Sequence, residues 1–241
     1  MLQSRHRLLE RVTLFSGLRS EQLAEMAEVA GMHRFAAHGY LFREGEAPDF
    51  VYAVLSGSVA LLMRDGTRDS VIDFVGPGGL LPLPSALLKT PYVVSARATT
   101  DGQAMLMPSA MFRQFVQNDR VLSQRCAAEM ARSWLMLVAQ MRDARSQTAI
   151  ERLVHFLVEQ SGREAGPATL TLPGMKKEIA ARLGIKPETL SRTLKKLSAY
   201  GVDSKGDTVR VADLERLVSL AAAEAHIPVS ERREMANPPA P

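Results

Sequence analysis

Residues 176–197 read KKEIAARLGIKPETLSRTLKKL, and this stretch decides the fold. Two helical segments meet at Gly184, a residue able to take a left-handed turn. Ala180, four positions earlier, supplies the small side chain where two helices must approach. Ile179, Leu183, Ile185, Leu190, Leu194 and Leu197 recur at helical spacing and predict a shared core. Pro187 stands in the first turn of the second helix, where its missing N–H costs nothing. The pattern predicts a helix-turn-helix.

The second helix displays Glu188, Thr189, Ser191 and Arg192, types suited to base edges in a major groove. Arginine donates twice to guanine, glutamate accepts from cytosine, and the hydroxyls serve bases or phosphates. Lys176, Lys177, Lys186, Lys195, Lys196 and Lys205 are expected to meet the phosphates. Residues 168–210 hold nine Lys/Arg (176, 177, 182, 186, 192, 195, 196, 205, 210) against four Asp/Glu (178, 188, 203, 207). The whole chain of 241 residues carries only +4, so the excess sits on this module. Charge concentrated in this way is the footprint of phosphate binding.

Outward from the motif, LTLPG (170–174) reads as a short strand. Residues 202–211 read as a wing-like hairpin followed by a last helix. Upstream, 146–160 form an amphipathic helix. Residues 119–144 form a long one without Gly or Pro, in which Ala127, Met130, Trp134, Leu137 and Met141 are spaced 3, 4, 3, 4. That is a heptad seam, which reads either as a helix packed on its own domain or as a two-stranded coiled coil with a second copy of the chain. Leu135, Met136 and Val138 widen it, so one side is expected to face the N-terminal domain and the other a partner. From about 32 to 107 short apolar runs are broken at Gly39, Gly45, Gly57, Gly66, 76–79 and 101–102. This predicts an antiparallel barrel or roll. Residues 80–91 interrupt it as a loop or short helix. Residues 18–30, capped by Ser20, and 109–117 are predicted as short helices.

The expected fold class is α+β, with an N-terminal antiparallel β-roll, a long dimerisation helix and a C-terminal winged helix-turn-helix. Expected boundaries are 1–118, 119–145 and 146–225, then a mobile tail at 226–241. Cys126 is the only cysteine, which excludes both an intrachain disulfide and a four-thiolate iron–sulfur cluster. It lies near the seam as a candidate redox switch, against the ordinary reading of an inert helical thiol. Neither a signal peptide nor an apolar span is legible, so a cytoplasmic protein without membrane contact is expected. Paired carboxylates, a nucleophile elbow, a Walker loop and a metal cluster are all missing, which argues against an enzyme. The alternatives are a regulator controlled only by its expression level and a small-molecule-binding module that does not touch DNA.

PETLSRTLKKL (187–197) resembles the recognition helix of the Crp/Fnr family of transcription regulators, with Glu188, Ser191 and Arg192 matching E-x-x-S-R. LFREGEAPDFVYAVLSGSVALL (41–62) resembles the family's cyclic-nucleotide-binding-like roll through Gly45, Glu46 and Gly57. The likeness covers about 12–220. It implies a homodimer reading a TTG-N8-CAA-type palindrome, with RNA polymerase as a further partner. Where cyclic-nucleotide binders of the family carry Gly-Glu and then Arg-Ser, this chain has Leu81-Pro82-Leu83-Pro84 and then Tyr92-Val93-Val94. That argues against cyclic AMP. PYVVSARA (91–98) and LGIKPETLSR (183–192) resemble the nitric-oxide-responsive Dnr/Nnr branch, which implies haem in an apolar pocket between the roll and the long helix. The expected effector region comprises Leu81, Leu83, Tyr92 and Arg97. His6, His33, His38, His155 and His226 lie in no ligand motif, so the haem ligand is unnamed.

Overall fold

The structure is a computed structural model that describes residues 2–65, 68–146, 148–162 and 165–225. The expected tail at 226–241, with His226, and the turn at Gly66 lie outside the described residues. Two compact units divide between Arg132 and Ser133.

The first unit opens with α1 (Leu2–Leu9), a 3-10 turn at Thr13–Phe15 and α2 (Ser20–Val29). The strands are β1 (Gly31–Phe35), β2 (Tyr40–Phe42), β3 (Phe50–Ser56), β4 (Val59–Asp65), β5 (Arg68–Val75) and β6 (Leu80–Leu81). After α3 (Leu83–Leu88) come β7 (Ser95–Ala98) and β8 (Gly102–Pro108). They form two antiparallel sheets, ordered β1-β8-β3-β6 and β2-β7-β4-β5. Alternation along β3 explains the layering. Tyr52 and Val54 join Phe42, Val59, Tyr92 and Ala96 in a core between the sheets. Val51 and Ala53 point the other way, into a core with Phe15, Leu23, Met26 and Phe112. The β3 sheet is therefore covered on both faces, by the second sheet and by helices.

Gly57 turns β3 into β4 at φ +82°, and a Cβ there would lie 2.7 Å from the Asp101 carbonyl oxygen. Only glycine permits both the backbone conformation and that approach.

Helix α4 (Ser109–Asn118) leads into α5 (Arg120–Ser146). One side of α5 presents Leu122 and Cys126 to the helix-side core. The unit after Arg132 contains α6 (Ala149–Ser161), β9 (Ala168–Thr171), α7 (Lys176–Arg182) and α8 (Pro187–Leu197). β10 (Val202–Lys205), β11 (Thr208–Val211) and α9 (Leu214–Ala225) complete it, with β10-β11-β9 as a three-stranded sheet.

Two expected boundaries move. Ser20 does not cap α2. It is the first helical residue, and its hydroxyl lies 3.2 Å from His6 Nε2. The Gln22 side chain instead accepts from the Arg19 N–H at 3.0 Å. The helix expected at 146–160 begins at Ala149 because Thr148 and Glu151 form a capping box. Thr148 Oγ1 accepts from the Glu151 N–H, and Glu151 Oε2 accepts from the Thr148 N–H at 2.5 Å.

Asp119 caps α5, its Oδ1 accepting from the Leu122 N–H at 2.6 Å while Gln22 donates to Oδ2. The Leu122 N–H, helped by Gln22 and Arg19, lowers the carboxyl below its ordinary value against the opposing effect of burial. Asp119→Ala is expected to cost about 1 kcal/mol at pH 7, as helix caps do. A depressed carboxyl stabilises above its unfolded pKa and ceases to do so as pH falls through its folded one. Urea melts of both proteins should therefore differ at pH 7 and converge in acid below the ordinary aspartate range.

Candidate nucleic-acid interface

Helix α7 starts where the buried Glu178 accepts from the Met175 N–H at 2.9 Å. Ala180 is fully buried, and its carbonyl accepts from the Ile185 N–H at 2.9 Å. That bond folds the chain back across the turn. Gly184 takes φ +63° there and donates to the Ala181 carbonyl. Ile179, Leu183, Leu190, Leu194 and Leu197 are buried and Ile185 is half-buried. Each fully buried leucine stabilises by roughly 1.5–3 kcal/mol. The three on α8 fix which way its other side faces.

That other side carries Glu188, Ser191, Arg192, Lys195 and Lys196, all exposed. Thr189 is half-buried, and its hydroxyl lies 3.5 Å from Arg192 Nη2. Thr193 is buried and donates to the Thr189 carbonyl at 2.8 Å. Lys176 and Lys177 are exposed at the start of α7, and Lys186 is exposed just before α8. Lys205 is exposed beside the hairpin turn of β10 and β11, as is Arg210 on β11. Arg182, part of the basic excess, is turned inward: its side chain is 9% exposed and pairs with Glu159 at 3.8 Å.

On α5, Trp134 is 66% and Leu137 50% exposed, and Leu135, Met136, Val138 and Ala127 are exposed as well. Met130 is half-buried against the helix-side core, so at this residue the expected seam is already covered by its own chain. The Met141 side chain lies outside the described residues. Five consecutive exposed apolar side chains on one helix form a patch that water does not favour.

The expected effector residues do not converge. Leu81 and Tyr92 fill the core between the sheets, whereas Leu83 belongs to the helix-side core. Arg97 alternates with Ala96 and Ala98 and so lies on the opposite face of its sheet, in register with Tyr40 and Ala60. Strand alternation, invisible in a list of neighbouring residues, separates them. Tyr92 and Phe42 rings lie 4.1 Å apart inside the roll, and Tyr92 donates to the Phe50 carbonyl. Prolines at 82 and 84 remove N–H donors from the start of α3.

Among the described residues no cluster of His, Cys, Asp and Glu could hold a metal ion. No described helix is long and apolar enough to cross a membrane.

The pattern of a cyclic nucleotide-binding domain matches residues 32–119, and that of a Crp-like helix-turn-helix domain matches 151–220. The transcriptional activatory protein AadR of Rhodopseudomonas palustris is 30% identical over 206 residues, covering 83% of this chain and 84% of AadR. The transcriptional activator protein FnrL of Cereibacter sphaeroides is 28% identical over 225 residues, covering 84% and 85%. The structure of FixK2 from Bradyrhizobium japonicum superposes with a TM-score of 0.73 at 25% identity, covering 80% of this chain and 98% of that one.

Two outcomes follow from the geometry. Gly184→Ala forces a side chain into the left-handed region and is expected to cost about 1–2 kcal/mol, read as a lowered Tm. Burial, with Glu129 nearby, pushes the Cys126 thiol up to about 11. Native protein at pH 7.5 should therefore resist alkylation at Cys126, and denatured protein should react.

Proposed function

The chain belongs to the Crp/Fnr family of transcription regulators, and on that premise we propose that it acts in the cytoplasm as a homodimer reading a TTG-N8-CAA-type palindrome. That it is a DNA-binding regulator and no enzyme follows from the family. One observation carries the finer reading. Helix α8 buries Leu190, Leu194 and Leu197 and leaves Glu188, Ser191 and Arg192 exposed together on its free side. Glu188 and Arg192 address bases, and the surrounding lysines address phosphates.

The apolar stretch Trp134–Val138 supports pairing of two α5 helices. A twofold pair would place two α8 helices about 34 Å apart, one turn of duplex. RNA polymerase is the partner that the family reading brings with it.

For control of binding, the packed roll favours a regulator set by its own expression level over a haem protein. Leu122, Cys126 and Met130 of α5 pack directly on the helix-side core of the roll, which speaks against a haem pocket between roll and long helix. The Dnr/Nnr reading is tested by adding haem and nitric oxide to purified protein. A Soret band together with a changed DNA affinity would overturn the expression-level reading.

The DNA reading has its own test in two variants, assayed on a panel of half-site variants. Arg192→Ala should cost about 1–3 kcal/mol and relax one base position. Lys195→Ala should weaken all duplexes alike and flatten the salt dependence. Identical behaviour of the two variants would overturn the assignment of roles. Trp134→Asp should move the protein from dimer to monomer in sedimentation velocity.

A further inference from the structure

Arg152 lies on α6, outside the two helices of the helix-turn-helix. It stands in the first turn of α6, four residues after Thr148, where the capping box with Glu151 begins, and its N–H is bonded to the Thr148 carbonyl. A cation is disfavoured at this end of a helix, where the backbone dipole is positive. Arg152 is half-buried, and its Nε–H is buried without an acceptor among the described residues. A buried donor left without an acceptor is destabilising. Glu151 beside it does not relieve this, since its Oε2 serves the Thr148 N–H and its Oε1 is buried without a donor. The side chain is thus held against the dipole and short of acceptors.

Its position gives the reason. A Cβ built on Gly184 would lie 3.6 Å from Arg152 Nη1. Gly184 is exposed, and the exposed Lys186 follows two residues later at the start of α8. Two residues span at most about 7 Å. The guanidinium therefore emerges at the turn of the helix-turn-helix, beside a lysine and the positive end of the helix that enters the groove.

We propose that Arg152 is a DNA-backbone contact, donating to one phosphate flanking the half-site at the Gly184–Lys186 turn. A phosphate oxygen at the turn accepts from Nη1, the guanidinium nitrogen that lies toward Gly184, and its charge offsets the unfavourable dipole. The contact carries no sequence information, because phosphates are common to every base pair. This rests on the DNA-binding reading above.

The experiment is the salt dependence of binding by full-length protein, using a duplex with the palindrome and a scrambled duplex. If the wild type binds neither duplex, the DNA-binding reading itself fails. If it binds, Arg152→Gln and Arg152→Met should each reduce the slope of log K against log salt by about 1.8, the loss of one phosphate contact in each half-site of the dimer. Both duplexes should be weakened by the same factor, with the Tm of the free variants near that of the wild type. An unchanged slope, or a loss confined to one base position, would overturn the proposal. Phenylglyoxal modification of wild-type protein needs no variant. Duplex should suppress the modification of Arg152, and equal modification with and without duplex would count against the contact.

Discussion

The bond from the Ile185 N–H to the Ala180 carbonyl, across a turn at φ +63°, is the constraint on which the interface depends. It sets the angle between α7 and α8. With that angle set, Leu183, Leu190, Leu194 and Leu197 are all buried. The polar side of α8 is then left without any choice of direction. A larger residue than alanine at 180 would separate the helices, and a side chain at 184 would strain the turn. Recognition chemistry in this chain is therefore set by apolar packing on the far side of the helix that performs it.

A similar logic holds in the roll. The β3 sheet is buried on both faces, so each residue along β3 has an assigned layer. The helix-side layer also receives Leu122 and Cys126 of α5. Beyond them the apolar surface of α5 continues through Trp134–Val138, which stay exposed among the described residues. A helix that is apolar on more than one side calls for more than one covering surface. The first is present within the chain, and the proposed dimer supplies the second.

Charge follows packing as well. The basic excess of residues 168–210 was legible as a count, yet the fold sorts its members. Lys176, Lys177, Lys186, Lys195, Lys196 and Lys205 reach solvent, whereas Arg182 turns inward to Glu159. Arg152, remote in sequence from the motif, arrives at the turn through the packing of α6. The effector residues are sorted in the opposite sense. Leu81, Leu83, Tyr92 and Arg97 are close in sequence, but two cores and two sheet faces divide them.

What the sequence by itself determined are features with a local cause. Helical spacing, the glycine of the turn, Pro187 at a helix start and glycine-punctuated strands each follow from backbone sterics within a few residues. The helix-turn-helix, the roll, the long helix and the exposed face of α8 were all readable on that basis. The Thr148–Glu151 capping box was equally local, and its T-x-x-E spacing was there to be found. Only the tertiary structure decided which face each strand residue takes, that Arg182 is spent on an ion pair, that Met130 is covered by its own chain, and that Arg152 stands at the turn. Those outcomes depend on pairing register and on contacts between segments far apart in the chain, which a periodicity cannot encode.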